Sequence, residues 1–482
     1  MLFVASSSNV TVLQLKDDLS VSELGSYDSM TAFGNPTSVA YSDTYDELAI
    51  SVAAADPLTK GRVYIVSSVE NWIACGMCED CVTYKEAGYL PDMVTFTLNG
   101  EYILTADEGE PVDYTVPEND PEGSISIFTR SDGYSKCVAG FERYNKPYRT
   151  RRLMDFGVRK AGMNFTSFSQ DMEPEFIAIS DNNRWAYVTL QASAHKNNAE
   201  NNAVAEVDIK NCRIKRLFPL GYKEWGDDLM MDASDKDDAI NMASYPMVNG
   251  MYMPDAIKAF KVKEKRYFVI ANEGDAREYG EEDTPSFYAD ETRVGDLAEA
   301  AGVSVTGTIY DDDALGRLKV TTTWPYEGNL DELYAFGGRQ VTTWVSISIF
   351  TNCGEFVWDS GDFMEKYTAE NWSELFNSQG EPESFDERSD DKGIEPEGLE
   401  VAEIDGRTFV FVALERIGGF MCWDISDPEA PVFQQSYVNS YTEDKGPESA
   451  TIIPAEYSPS GKALLIGAYE ASNSLAVFEI DV

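Results

Sequence analysis

Residues 396–415 read PEGLEVAEIDGRTFVFVALE. A proline and an acid open a short apolar strand, EIDGR makes a polar turn, and a nearly continuous apolar strand follows and closes in glutamate. Two such runs joined by a Gly-containing turn are the signature of a β-hairpin. The same hairpin recurs as PDMVTFTLNGEYILTADE (91–108), PEFIAISDNNRWAYVTLQ (174–191), PDAIKAFKVKEKRYFVIANE (254–273) and PESATIIPAEYSPSGKALLIGAYE (447–470). A further apolar strand follows several copies, as in GSISIFTR (123–130), AVAEVDIK (203–210), GFMCWDIS (419–426) and LAVFEIDV (475–482). Less regular units fit at 36–68 and 332–360, which makes seven in all.

Seven repeats of three to four strands with turn signals between them predict an all-β fold, a seven-bladed β-propeller. The short N-terminal strands LFVASS and VTVLQL are expected to join the C-terminal blade and close the ring. That removes the exposed sheet edge. The chain then forms a single domain over 1–482, with no linker to split it. Long insertions rich in Asp, Glu, Gly and Pro (111–122, 192–202, 221–252, 275–315 and 362–395) fall on one face, where function is expected.

The repeat carries chemistry at its two ends. Asp92, Glu175, Asp255, Glu397 and Glu448 open the first strands, and Glu108, Gln191, Glu273, Glu415 and Glu470 close the second. Both positions lie at one end of neighbouring strands, so the blades are expected to crowd these acids around the channel mouth. Crowded carboxylates repel and hold protons unless cations neutralise them. An oxygen-only donor set selects Ca²⁺ or Mg²⁺ over softer metals, and Ca²⁺ is the expected ion, with room for a second divalent metal. The plainer reading is that these acids cap strand starts by accepting backbone N–H groups. A second candidate loop is DASDKDDAIN (232–241), in which Asp235 and Asp237 have EF-hand-like alternate spacing. It is equally legible as a solvated acidic loop.

Arg277, Arg388, Lys392 and Arg416 lie in segments adjoining the acids and suit phosphate oxygens, although salt bridging to the surrounding Asp and Glu is the simpler use. His195 follows Gln191 and is the only imidazole for acid–base work. Ser389 and Ser449 are the nearest hydroxyl nucleophiles.

Composition narrows the rest. The 482 residues carry 84 Asp+Glu against 38 Lys+Arg, a formal net charge of −46, with a single His. A surface of that sign repels phosphate backbones, so nucleic-acid partners are excluded. One histidine excludes multi-imidazole zinc sites. No apolar run reaches the about 18 residues of a transmembrane helix, and no P-loop, Rossmann or G-x-S-x-G motif is present. The start MLFVASSSNVTVLQL lacks the pattern of a secretory leader, so a signal peptide is expected to be absent from this chain. Sequons at Asn9, Asn164 and Asn371 fit a secreted or cell-surface location. Among seven cysteines, Cys75, Cys78 and Cys81 form a C-x2-C-x2-C cluster, readable as disulfide chemistry or as a metal or iron–sulfur site.

The strings LPDMVTFTLNGEYILTADEGEP, DMEPEFIAIS, ANEGDARE, FDERSDDKGIEPEGL and LERIGG resemble the choice-of-anchor I family, also described as mesenchyme-specific cell surface glycoprotein-like. That family is similar to the atypical calcium-dependent alkaline phosphatases of cyanobacteria and algae. The resemblance implies a secreted or surface-attached propeller and, in the algal and cyanobacterial branch, hydrolysis of small phosphate esters. Arg277, Arg388, Lys392 and His195 are then the expected catalytic groups. The alternative expectation is a non-catalytic calcium-binding surface module.

Overall fold

The computed structural model describes residues 1–163, 165–190, 201–226, 228–280, 284, 287–326, 328–346, 355–438 and 443–481. Over these the chain is all-β in its framework. Five four-stranded and two three-stranded antiparallel sheets follow one another along the sequence. In four of the five four-stranded sheets the first hairpin is one quoted above, as with Pro91–Phe96 beside Tyr102–Asp107 and Pro396–Ile404 beside Arg407–Leu414. The first strands of successive sheets touch, from Gly34–Ser42 through Pro91–Phe96, Pro174–Ile179, Ile257–Val262 and Pro396–Ile404 to Pro447–Ile453. Apolar faces between the sheets form the cores. One, with Leu104, Ile127, Ile177 and Val188, joins the second and third hairpin sheets.

Two expectations are corrected. The N-terminal strands Leu2–Ala5, Val10–Leu15 and Val21–Tyr27 pair with one another as a sheet of their own, not with Pro447–Ile453 or its partners. VSELGSY at 21–27 supplies the third strand, and its glycine and serines hide the apolar alternation. Leu2 and Leu13 instead pack against Leu464, Ile466 and Leu475 of the last sheet. The unit read at 332–360 also divides. Gln340–Ser346 and Glu355–Asp359 complete the sheet begun by Ile257–Val262 and Lys265–Asn272. Leu333–Ala335 joins a five-stranded sheet built wholly from insertions, with Tyr222–Glu224, Val248–Met251, Lys319–Thr321 and Glu291–Arg293. That sheet has a core of its own around Trp225, Met231, Leu315 and Leu318, so the insertions are folded and not loose loops.

Candidate metal centre

The proline that opens four of the first strands also aims the acid that follows it. Proline has no N–H for the ladder, and the register slips at the next residues: between Pro91 and Met93, Pro174 and Ile177, Pro396 and Leu399, and Pro447 and Ser449. A bulge at that point turns the skipped side chain away from the sheet face. The skipped residues include Asp92, Glu175, Glu397 and Glu448. The opposite acids stand one residue beyond the second strand, and their backbone N–H groups donate to the carbonyl of the residue before the proline: Glu108 to Leu90 at 2.9 Å, Glu415 to Glu395 at 3.1 Å and Glu470 to Gly446 at 2.7 Å. The sheet starting at Gly34 has Thr37 at the bulge, and its hydroxyl donates to the Pro91 carbonyl at 2.7 Å.

These acids are not equivalent. Oxygens of Asp92, Glu108 and Glu175 lie within 4.8 Å of one another. Glu108 is fully buried and Glu175 nearly so. Both Glu108 carboxylate oxygens and Oε2 of Glu175 lack an N–H or hydroxyl donor among the described residues, and the two carboxyls face each other closely enough to share a proton. Among the described residues no lysine or arginine forms an ion pair with either of them. Burial pushes the Glu108 carboxyl well above the usual carboxylate range, and the charges of Asp92 and Glu110 push it further. Glu175 moves the same way, through burial and then Glu108 and Asp92. Neighbouring Glu110 is raised to about 8 by burial and Asp92.

The second trio, Glu273, Glu395 and Glu415, is as tight, with oxygens again within 4.8 Å, but it already contains its cations. Lys392 Nζ lies 2.5 Å from Glu273 and 3.5 Å from Glu395, and it also pairs with Asp275. Arg388 and Arg416 reach Glu395 at 2.6 and 2.8 Å. Burial opposes ionisation of Glu395, yet Arg388, Lys392 and Arg416 outweigh it and hold its carboxyl well below the usual range. The ring expected from sequence is therefore two half-sites. The trio of Glu273, Glu395 and Glu415 is neutralised by the protein, whereas Glu108 and Glu175 have no counter-ion among the described residues. A hard divalent cation suits the trio of Asp92, Glu108 and Glu175: its donors are all carboxylate and they are convergent.

Asp255 feels charges from both trios, and Glu397 feels those of Glu415 and Glu273. Burial raises Asp255 well above its usual range, followed by Glu273 and Glu448; burial raises Glu397 likewise, followed by Glu415 and Glu448. Glu448 reaches solvent, yet burial of its carboxyl and then the charge of Glu470 raise it to about 8, while Glu470 is exposed.

The structure pairs each of the four predicted Arg and Lys groups with acids, Arg416 with Glu395 and Glu415. Arg277 is fully buried, with Asp171 at 2.6 Å, Glu173 at 3.0 Å and the Tyr114 hydroxyl at 3.2 Å. Arg388 and Lys392 are held in the second trio as above. Ser389 is buried and donates to Asp386 at 2.6 Å, whereas Ser449 is exposed. His195 and Gln191 lie outside the described residues. The 232–241 loop does not gather ligands: Asp235 pairs with Arg317 at 2.8 Å and with Lys236, while Asp237 accepts the Ala239 N–H at 3.2 Å. Its hub is Asp232, which accepts the Ser234 and Asn241 backbone N–H groups. Sequence reading passed over Glu173, Glu395, Glu110 and Asp275. The first two were legible as the glutamate before the proline in MEPE and IEPEG.

Consecutive antiparallel sheets that bring bulge-borne acids together at their first strands define a propeller-like protein with a carboxylate-lined centre. The chain belongs to the Choice-of-anchor I domain family, which matches residues 1–428. It is 26% identical over 360 residues to the mesenchyme-specific cell surface glycoprotein of Strongylocentrotus purpuratus, covering 68% of this chain and 45% of that protein. It is 28% identical over 198 residues to Gigasin-3a of Magallana gigas, covering 36% of this chain and 67% of that protein. The chain thus spans under half the length of the sea-urchin relative. Among solved structures it is similar to a putative 6-phosphogluconolactonase of Bacteroides fragilis (TM-score 0.46, 8% identity, 99% of this chain and 90% of that one). It is also similar to the Cps50 β-propeller domain of Myceliophteria thermophila (TM-score 0.44, 8% identity, 99% and 94%). No helix among the described residues is long and apolar enough to cross a membrane.

Proposed function

We propose that this protein is an extracellular, calcium-binding β-propeller whose metal centre hydrolyses small phosphate monoesters. In this reading the seven sheets are seven blades, and the ring closes by the apolar contact of the first and last sheets, Leu2 against Leu464 and Ile466. The observation that carries the metal is the buried Glu108 carboxylate, which among the described residues has no N–H or hydroxyl donor and no cationic partner, only the facing carboxyl of Glu175. Such a pair avoids the cost of several kcal/mol of buried, uncompensated charge either by holding a proton or by binding a cation, and a divalent cation is the form that gives the site a use. Asp92, Glu108 and Glu175 hold it. Calcium there supplies positive charge to phosphoryl oxygens that the acidic surface would otherwise repel. Glu110 is a further carboxyl near the trio, raised to about 8 by burial and Asp92 when no cation is bound. Lys392 and Arg388 keep the second trio neutral, a positioning role.

The surface location and the phosphatase chemistry draw on the family resemblance and on the name of the sea-urchin relative. The test is release of p-nitrophenol from p-nitrophenyl phosphate at pH 7 to 10 with calcium and then with EGTA. Turnover abolished by chelation is the expected result.

One observation favours a second reading. Arg277, Arg388 and Lys392 are all paired with carboxylates, so none of the three is presented to a phosphate. A non-catalytic calcium-binding surface module fits that. Calcium binding by an intact protein without turnover would select it.

A further inference from the structure

Away from the acids, the C-x2-C-x2-C cluster has a geometry of its own. Helix Val69–Ala74 ends at Cys75, the chain turns back through Gly76 and Met77, both at positive φ, and Glu79–Cys81 forms a short turn before strand Val82–Tyr89. That strand is the outermost of its sheet. Cys75 and Cys78 are joined by a disulfide, and Cys81 is a free thiol. The Cys81 sulfur lies 4.0 Å from that of Cys78. The Cys78 backbone N–H donates to the Cys75 sulfur at 3.3 Å. Cys75 is exposed, whereas Cys78 and Cys81 are half-buried.

A thiolate beside a disulfide exchanges with it when the sulfurs can meet, and the sulfur that leaves is the one whose anion is best stabilised. Here the attacking thiol already stands near the central sulfur. The leaving sulfur is the exposed one, solvated and hydrogen-bonded by an amide. Cys422 offers a contrast: it is buried in a core, its thiol is pushed up to about 12 by burial, and it faces no disulfide. Cys137 and Cys212 form a second disulfide.

We propose that Cys75, Cys78 and Cys81 form a thiol–disulfide exchange site that presents Cys75 for covalent attachment to disulfide-bearing molecules. The Cys81 thiolate attacks the Cys78 sulfur, a Cys78–Cys81 bond forms, the Cys75–Cys78 bond breaks, and Cys75 departs as a thiolate. No electrons are gained or lost in this step. The Cys75 thiolate then attacks an external disulfide, forming a mixed disulfide and releasing the other half as a thiolate, which takes a proton from water. This site is independent of the acidic centre and needs no metal.

The experiment treats the full chain, prepared without reductant, with oxidised glutathione at pH 8 and maps the disulfides by non-reducing peptide mass spectrometry. The expected product carries glutathione on Cys75 and a Cys78–Cys81 bond. Cys81→Ser, with Cys81→Ala as a second variant should the first fold poorly, is expected to lose the Cys75 adduct. Cys75→Ser is expected to lock the Cys78–Cys81 bond and take up no glutathione at this cluster. Glutathione found only on Cys81 with Cys75–Cys78 intact would overturn the proposal. A metal bound by the three reduced thiols in the native mass spectrum would overturn it as well.

Discussion

Replacing Glu108 by glutamine removes one negative charge from the buried trio and leaves its shape. Two unit charges 4.8 Å apart at an effective dielectric of about 20 repel by about 3.5 kcal/mol. For 482 residues, an unfolding entropy of about 2.1 cal/mol/K per residue gives about 1 kcal/mol/K at the midpoint. In EGTA at pH 8, Glu108→Gln is therefore expected to raise the melting temperature by about 3 °C. At pH 5 the gain should shrink, because burial and the charges of Asp92 and Glu110 favour the protonated form of Glu108. Calcium at a hundredfold excess over its Kd stabilises a binding protein by about 2.7 kcal/mol, again about 3 °C, and the variant should lose that shift. Differential scanning fluorimetry with calcium or EGTA at the two pH values reads all four numbers. A variant that melts lower than the parent in EGTA at pH 8 and still gains stability from calcium would refute the reasoning.

Lys392→Met leaves Glu273, Asp275 and Glu395 short of a counter-charge and should cost about 3–5 kcal/mol at pH 8, read from urea midpoints. Asp275 has its carboxyl at about 7 even with the lysine present, through burial and Glu273, so the loss should shrink as pH falls below 7. Arg277→Met strands Asp171 and Glu173 without their buried guanidinium and should cost a similar about 3–5 kcal/mol, with no dependence on calcium. Metal-free stability should fall as pH rises. Glu110 (about 8) and Asp120 (about 7) have folded values above their unfolded ones, so their contribution is complete below about pH 4 and is lost as pH climbs through those values. Calcium-induced stabilisation should therefore grow between pH 5 and pH 9, because fewer protons must be displaced. Paired melts across that range check it.

The hairpin repeat was legible because a period-two apolar pattern, a polar turn and a Pro-acid opening coincide in five places. The pairing partners of the outer strands were not. Leu333–Ala335 reads as a blade strand, yet insertions longer than a hairpin loop let it pair in parallel with Val248–Met251, far away in the chain. The acids of the centre were legible as a set, since their position in the repeat is fixed by the proline bulge. Their division into two trios was not, because Lys392 and Arg388 come from an insertion whose path no periodicity records. The basic residues show the limit most plainly. Arg277 in ANEGDARE has the composition of a phosphate site, and only the fold places Asp171 and Glu173 against its guanidinium.

The central claim is that Asp92, Glu108 and Glu175 hold a divalent cation. An anomalous difference map from crystals grown with calcium tests it most directly. A calcium peak is expected among those three carboxylates, and none between Lys392 and Glu273. An empty trio, or a peak only at Asp235 and Asp237, would contradict it.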